Sequence, residues 1–443
     1  MDRLTRRRLL TGPAALVAGA ALAACGQGPA PEGAPPVGGA LAPAALDVWL
    51  WWKDPVESLQ QMGERFAQKV PGSKVTVDAP AGYWDKLTAA LAGSAGPDLF
   101  FMNNVNYWAW ANRGLLVDLD RLVAGDAEMR RNLDASWKDA VTFYKFRGKS
   151  YGLPYLYTTV VLYYNTELLK AANLRTPAEA GDAFDWNTAR DYAQQLTRRE
   201  GGEVRTWGIM STEGIETGWL NFVRANGGDF LDQDHQKCIV DQPVAQEAWQ
   251  YLVDLRVKDR LSPDAPALQA MSSQNLFING RLALWPGGSW AMKTLNALPG
   301  GLQYDVALLP AAPKTRRRGG TTNIVGVVLN KDGKSRDLSW ALLTHFLSKD
   351  SQDVIARADV LAPVRNDSAE LYYDPKLGPP NRKAALGMQR WTTPLPAHER
   401  VSWTEMLAPV TEWQPKILDG SAPVKDGLTQ MAAQVNALLG APR

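Results

Sequence analysis

Residues 160–164, Val-Val-Leu-Tyr-Tyr, are an uncharged β-branched and aromatic run, the pattern of a strand buried on both faces. Asn165-Thr166-Glu167 then offers an N-cap for a short helix over 168–173. Upstream, apolar runs and amphipathic stretches alternate from residue 46. Strands are predicted at 46–52, 74–77 and 96–101, and helices at 55–70 and 83–93. In the first helix Val56, Leu59, Met62, Phe66 and Val70 recur at spacings of three and four, which puts them on one face. Strand and helix alternating at this spacing argue for a parallel sheet with helices on its faces.

Downstream, helical patterns cover 106–113, 117–123, 185–199, 219–225, 246–258, 338–347, 351–357, 400–418 and 427–439. Residues 226–240 read as a hairpin behind the Asn226-Gly227-Gly228 turn. Residues 276–285 end a helix and enter a strand that stops at Pro286-Gly287-Gly288, and 324–329 is a further strand. There is no internal repeat.

The first residues change this picture. Arg6-Arg7-Arg8 precedes an apolar run over 9–24 that ends Leu22-Ala23-Ala24-Cys25. The run is short and interrupted by Gly and Pro, so it reads as a cleavable export signal rather than a span. The paired arginines resemble the twin-arginine pattern, and Leu-Ala-Ala-Cys resembles the bacterial lipobox, which makes Cys25 a lipidation site. Residues 1–24 are therefore the expected signal peptide, and 25–45, rich in Gly, Pro and Ala, a flexible tether. With Cys25 lipidated, Cys238 has no partner for an intrachain disulfide.

The whole chain of 443 residues carries a formal charge of +2, and loss of four Arg and one Asp with the signal moves it to about −1. That gives no basic excess for nucleic acid, and the Arg316-Arg317-Arg318 triplet reads as a solvated loop. His235, His345 and His398 stand far apart, with no H-E-x-x-H motif and no phosphate-cradling glycine loop. Gly287-Gly288-Ser289-Trp290-Ala291 lacks the last glycine of a nucleophile elbow. Asp232-Gln233-Asp234 fails as a calcium loop, because Lys237 and Pro243 fall at its sixth and twelfth positions. A carboxylate pair for glycoside hydrolysis stays open, since sequence spacing does not fix distance. The positive signal is tryptophan: seventeen Trp exceed thirteen Tyr and ten Phe. Trp51, Trp52, Trp108, Trp110, Trp285, Trp290, Trp391 and Trp403 stand beside turn or polar residues. A flat indole packs on the C–H face of a sugar ring while its N–H reaches a hydroxyl.

The segment G-x-x-Y-G-L-P-Y-(x)7-Y-Y-N-T-E-L-L-x-x-A-x-L over 148–174 resembles the crossing strand of extracellular solute-binding proteins of ABC importers, above all the sugar-binding, maltose-binding-protein-like group. Pro97-Asp98-Leu99-Phe100, Gly114-Leu115-Leu116-Val117-Asp118-Leu119, Asn226-Gly227-Gly228-Asp229-Phe230, 277–283, Gly288-Ser289-Trp290, 346–349 and Ala362-Pro363-Val364-Arg365 resemble it in the same order. The resemblance implies an α/β fold of two lobes, each a sheet flanked by helices, joined by a hinge (the type II periplasmic-binding architecture). It places one lobe at 46–157 and 322–361 and the other at 158–321 and 362–443. Crossings are expected near Thr158, at 320–323 and at 361–365, with 157–159 over the cleft.

It further implies a binding protein, not an enzyme, with no cofactor and no metal. Such a protein is a monomer, exported and lipid-anchored on the outer face of the cytoplasmic membrane or in the periplasm, delivering a carbohydrate to an ABC permease. The expected ligand-binding residues are Trp51, Trp52, Asn103, Asn104, Thr158, Glu216, Trp219, Trp285, Ser289, Trp290, Arg365 and Trp403. Trp290 and Trp403 match positions that stack on sugar in the maltose-binding protein. The chain departs from the pattern in two places: Met102-Asn103-Asn104 replaces an acidic residue after Pro97-Asp98-Leu99-Phe100, and Thr158 stands where a substrate-contacting carboxylate is expected. The alternatives are a binding protein for an oligopeptide or polyamine, for which Glu213 and Glu216 would matter, and an exported glycan-active enzyme.

Overall fold

The structure is a computed structural model and describes residues 41–440 except residue 213. The signal, Cys25 and most of the tether lie outside the described residues, as does Glu213.

The described residues form thirteen strands. They are β1 (Ala45–Trp49), β2 (Lys74–Asp78), β3 (Leu99–Asn103), β4 (Leu153–Tyr157), β5 (Val160–Asn165), β6 (Arg198–Glu200) and β7 (Glu203–Ile209), followed by β8 (Leu282–Gly288), β9 (Tyr304–Ala307), β10 (Gly320–Thr322), β11 (Ile324–Leu329), β12 (Ala362–Pro363) and β13 (Thr392–Pro394). One sheet runs β12-β4-β11-β3-β1-β2 and the other β6-β7-β8-β5-β9, with β10 and β13 paired between them. β1 is parallel to β2 and β3, as the strand–helix alternation requires, whereas β11 lies antiparallel between β3 and β4. In the second sheet β5 is antiparallel to β8 and β9. All six residues of β5 are buried, which is why that strand reads as a continuous apolar run. Helices flank both sheets, giving two α/β lobes.

Several boundaries differ from the sequence reading. The strand expected over 46–52 ends at Trp49, so Trp51 and Trp52 sit in the turn that leads into the helix Val56–Lys69. The helix after β3 starts at Asn104, directly off the strand, and the next begins only at Asp120. The hairpin over 226–240 reduces to one bridge between Leu231 and Cys238. Cys238 is buried and free, its thiol pushed up to about 12 by burial.

Two expectations need correction. Ala362 and Pro363 pair with Tyr157 and Leu156 of β4, and the helix Asn366–Tyr372 packs on β12, so this stretch belongs with the first sheet. The chain reaches the second sheet at Asn381, which donates to Asp305 of β9, and then with the helix Ala384–Met388, which packs on β5 and β9. The arginine triplet is not a solvated loop throughout. Arg318 is buried, donating to the carbonyls of Gly181 and Leu309 and pairing with Asp182.

Candidate functional site

The polypeptide passes between the sheets at Thr158-Thr159, which separate β4 from β5, and at Asn323, which separates β10 from β11. The two crossings are stitched together. Thr158 N–H donates to the Asn323 carbonyl at 3.1 Å, and Asn323 N–H donates to the Thr158 hydroxyl at 2.9 Å. The Thr322 hydroxyl donates to the Thr158 carbonyl at 2.7 Å, and Leu395 N–H to the Thr322 carbonyl, which ties in the segment after β13. Gly319 is glycine because of close approach rather than rotation: a Cβ there would lie 1.9 Å from the Asn221 carbonyl oxygen of the neighbouring helix.

Beside this hinge opens a cleft of about 350 Å³ lined by Trp51, Trp52, Asp54, Thr158, Glu216, Trp290, Asn323, Val325, Val360 and Leu361. The first lobe contributes an aromatic platform. Trp51 stacks on Trp84 at 5.5 Å and touches Trp52 at 4.5 Å, while Trp52 meets Phe101 edge-on at 6.1 Å. Trp290 comes from the second lobe and is 39 % exposed, an unusual state for an indole. Its ring lies over Gly288, where a Cβ would come within 2.2 Å of it. Glycine at 288 therefore sets the pose of Trp290.

Glu216 lies in a π-turn, Ile215–Trp219, in which Gly218 leaves helical backbone. Asn221 Nδ2 and the Thr321 hydroxyl donate to the Glu216 carbonyl at 2.8 and 2.5 Å, holding the turn against the hinge. Its carboxylate accepts from the Thr158 hydroxyl at 3.4 Å. Burial raises the carboxyl to about 7, against the smaller opposing pull of the Thr158 bond.

Of the residues expected from the sequence, Trp51, Trp52, Thr158, Glu216 and Trp290 meet in this cleft. Asn103 ends β3 half-buried, its Oδ1 accepting from Asn106. Asn104 is buried and does hinge work: Oδ1 accepts from Ile324 N–H and Nδ2 donates to the Leu395 carbonyl, both at 3.0 Å. Ser289 likewise accepts from Thr159 N–H at 3.2 Å. Trp219 and Trp285 are core residues, the first against Trp249 and bonded to Gln414, the second between Tyr163 and Phe277. Arg365 is buried and fully engaged by Asp367 and Asn132. Trp403 opens the helix Trp403–Leu418 and packs, half-buried, on the second lobe's core rather than lining the cleft. Asp54 and Asn323 were missed. Asp54 carried a signal, standing in the polar turn beside Trp52, and Asn323 stood inside an expected crossing.

A second cavity of about 570 Å³ lies between Asn104, Trp108 and Phe143 of one lobe and Arg224, His235 and Leu395 of the other. His235 stacks on Trp108 at 5.0 Å there. Among the described residues no group of three His, Cys, Asp or Glu side chains is placed to hold a metal ion, and no helix is long and apolar enough to cross a membrane.

Comparison with known proteins agrees with this architecture. Residues 52–353 match the family described as bacterial extracellular solute-binding protein. The maltotriose-binding protein of Pyrococcus abyssi is 21% identical over 330 residues, covering 72% of this chain and 67% of its own. A Streptomyces antibioticus protein named as a lipoprotein is 24% identical over 380 residues, covering 83% of this chain and 78% of its own. Among solved structures, an ABC substrate-binding protein of Listeria monocytogenes in complex with cycloalternan superposes with a TM-score of 0.78 at 20% identity, over 90% of this chain and all of that one.

Proposed function

The chain belongs to the family of bacterial extracellular solute-binding proteins, which are binding proteins rather than enzymes, and from that premise we propose that it captures a carbohydrate between its lobes and delivers it to an ABC permease. The observation that carries this reading is the cleft itself. Indoles from both lobes, Trp51 and Trp52 on one side and Trp290 on the other, line one opening whose polar groups are Asp54, Thr158, Glu216 and Asn323. Apolar faces with a few convergent polar groups match the amphipathic surface of a sugar ring. Sugar-binding relatives of the same fold support it.

Thr158 and Asn323 stand where the chain crosses between the lobes, so a ligand touching both lobes favours the closed arrangement by its differential affinity for it. The Leu22-Ala23-Ala24-Cys25 junction, together with a relative named as a lipoprotein, supports export and lipid anchoring through Cys25. The direct test is a thermal-shift screen of mono- and oligosaccharides against the domain from residue 41, followed by calorimetry. Saturable binding of a sugar with no chemical change to it is the expected result. Stabilisation by peptides alone, or turnover of the sugar, would overturn the reading.

A further inference from the structure

We propose that the carbohydrate this cleft selects carries a protonated amine, and that Glu216 is the residue that selects it. The proposal rests on the carbohydrate reading above and narrows it. Both charged residues lining the cleft, Asp54 and Glu216, are acidic, and among the described lining residues there is no Lys, Arg or His. The hinge side of the cleft is rich in acceptors. The Thr158 hydroxyl receives Asn323 N–H and has its own proton shared between the Glu216 carboxylate and the Asn323 carbonyl, each at 3.4 Å, so it is already committed. The one buried polar side-chain atom among the described lining residues that lacks a protein partner is Asn323 Oδ1, again an acceptor.

A neutral sugar hydroxyl brings one donor and two acceptor lone pairs, whereas an ammonium brings three donors and no acceptor. The ammonium is the better complement to this set. The aromatic faces of Trp51, Trp52 and Trp290 suit it as well, because a cation is attracted to the face of an indole. Among the described residues no charged group offsets Glu216 from the elements packed on it. Thr158, Thr321 and Asn323 approach from the crossings and Asn221 from the adjoining helix, and all are neutral. Burial without a counter-charge accounts for its rise to about 7, and an arriving ammonium would return it to the ionised form. Binding an amine should then release a proton below pH ~7, so affinity falls as the solution becomes more acid. It should fall again at alkaline pH as the amine itself deprotonates, which gives a bell-shaped profile. A neutral sugar should show no such profile.

The experiment is isothermal titration calorimetry at pH 5.5, 7.5 and 9.5 with matched sets: glucosamine, galactosamine and mannosamine and their β-linked oligomers, each beside its N-acetyl and hydroxyl counterparts, with spermidine as a non-sugar amine. The best amino sugar is expected to bind about 10- to 100-fold tighter than its neutral counterparts at pH 7.5, the range for a hydrogen bond to a charged group. In Glu216→Gln, with its cooperative melt intact, that ratio and the bell-shaped profile should both collapse. Neutral sugars binding as tightly as their amines would overturn the amine proposal and leave carbohydrate capture standing, as would a Gln variant that kept the ratio. Spermidine binding with no sugar binding would overturn both.

Discussion

The Thr158 hydroxyl lies 3.4 Å from the Glu216 carboxylate, so a residue of the strand crossing and a residue of the second lobe meet at the point where the lobes join. The carboxyl has its ordinary value near 4.5 in the unfolded chain and about 7 in the folded one. Between those values the folded protein keeps a proton that the unfolded chain has lost, so stability falls as pH rises through this window. Glu216→Gln removes the ionisable group. In urea denaturation of the ligand-free protein, the variant should gain about 1–3 kcal/mol on wild type at pH 8 and match it near pH 4.5. A constant difference between the two proteins across that range would show that Glu216 does not titrate in this way.

Trp290 is the cleft tryptophan most open to solvent, which separates its role in binding from its role in folding. Trp290→Ala should weaken sugar binding by about 1–3 kcal/mol with little change in melting temperature. Gly288→Ala would place a methyl where the indole now lies and should weaken binding in the same direction. Calorimetry beside a thermal melt checks both. Wild-type affinity in Trp290→Ala would remove this tryptophan from the site.

Asn104 and Asn106 stand two residues apart on one helix and should behave differently. Asn104→Ala leaves Ile324 N–H and the Leu395 carbonyl without their partner in a buried place, at a cost of about 2–4 kcal/mol. Asn106 bonds only to Asn103 in a half-buried position, and its alanine variant should cost less than about 1 kcal/mol. Equal losses in denaturant titrations would contradict the linking role of Asn104.

How far the sequence reaches depends on the kind of feature. β5 was legible because a strand buried on both faces has to be apolar throughout, and the two-lobed fold followed from the resemblance around it. Trp51 and Trp52 were legible as cleft residues because they stand next to the Lys53-Asp54-Pro55 turn. Trp219 and Trp285 were not, since an indole beside Gly or Pro has the same sequence context whether it turns toward a cleft or a core. Their burial is decided by Trp249, Tyr163 and Phe277, which come from elsewhere in the chain. Arg365 and Asn104 are polar and close to crossings, as a ligand reader would be, yet Asp367, Asn132, Ile324 and Leu395 take up their hydrogen bonds. The departure from the first lobe after 361 was misplaced because the two-residue strand Ala362–Pro363 has no period to read.

The anchor can be tested without reference to the cleft. Lipidation at Cys25 predicts that Cys25→Ala moves the protein from the membrane fraction to the soluble fraction on fractionation of producing cells. Stable attachment needs more than one acyl chain, so loss of the modified cysteine should release nearly all of it. Unchanged membrane association would contradict the lipid anchor.

The central claim is that a sugar is held between two lobes that close on it, with contacts from Trp51 and Trp52 on one side and Trp290 on the other. Small-angle scattering of the domain from residue 41, with and without its best sugar, tests that claim most directly. The radius of gyration should fall on saturation, and the fall should be lost in Trp290→Ala at sugar concentrations that saturate only wild type. Tight binding with an unchanged radius of gyration would contradict closure.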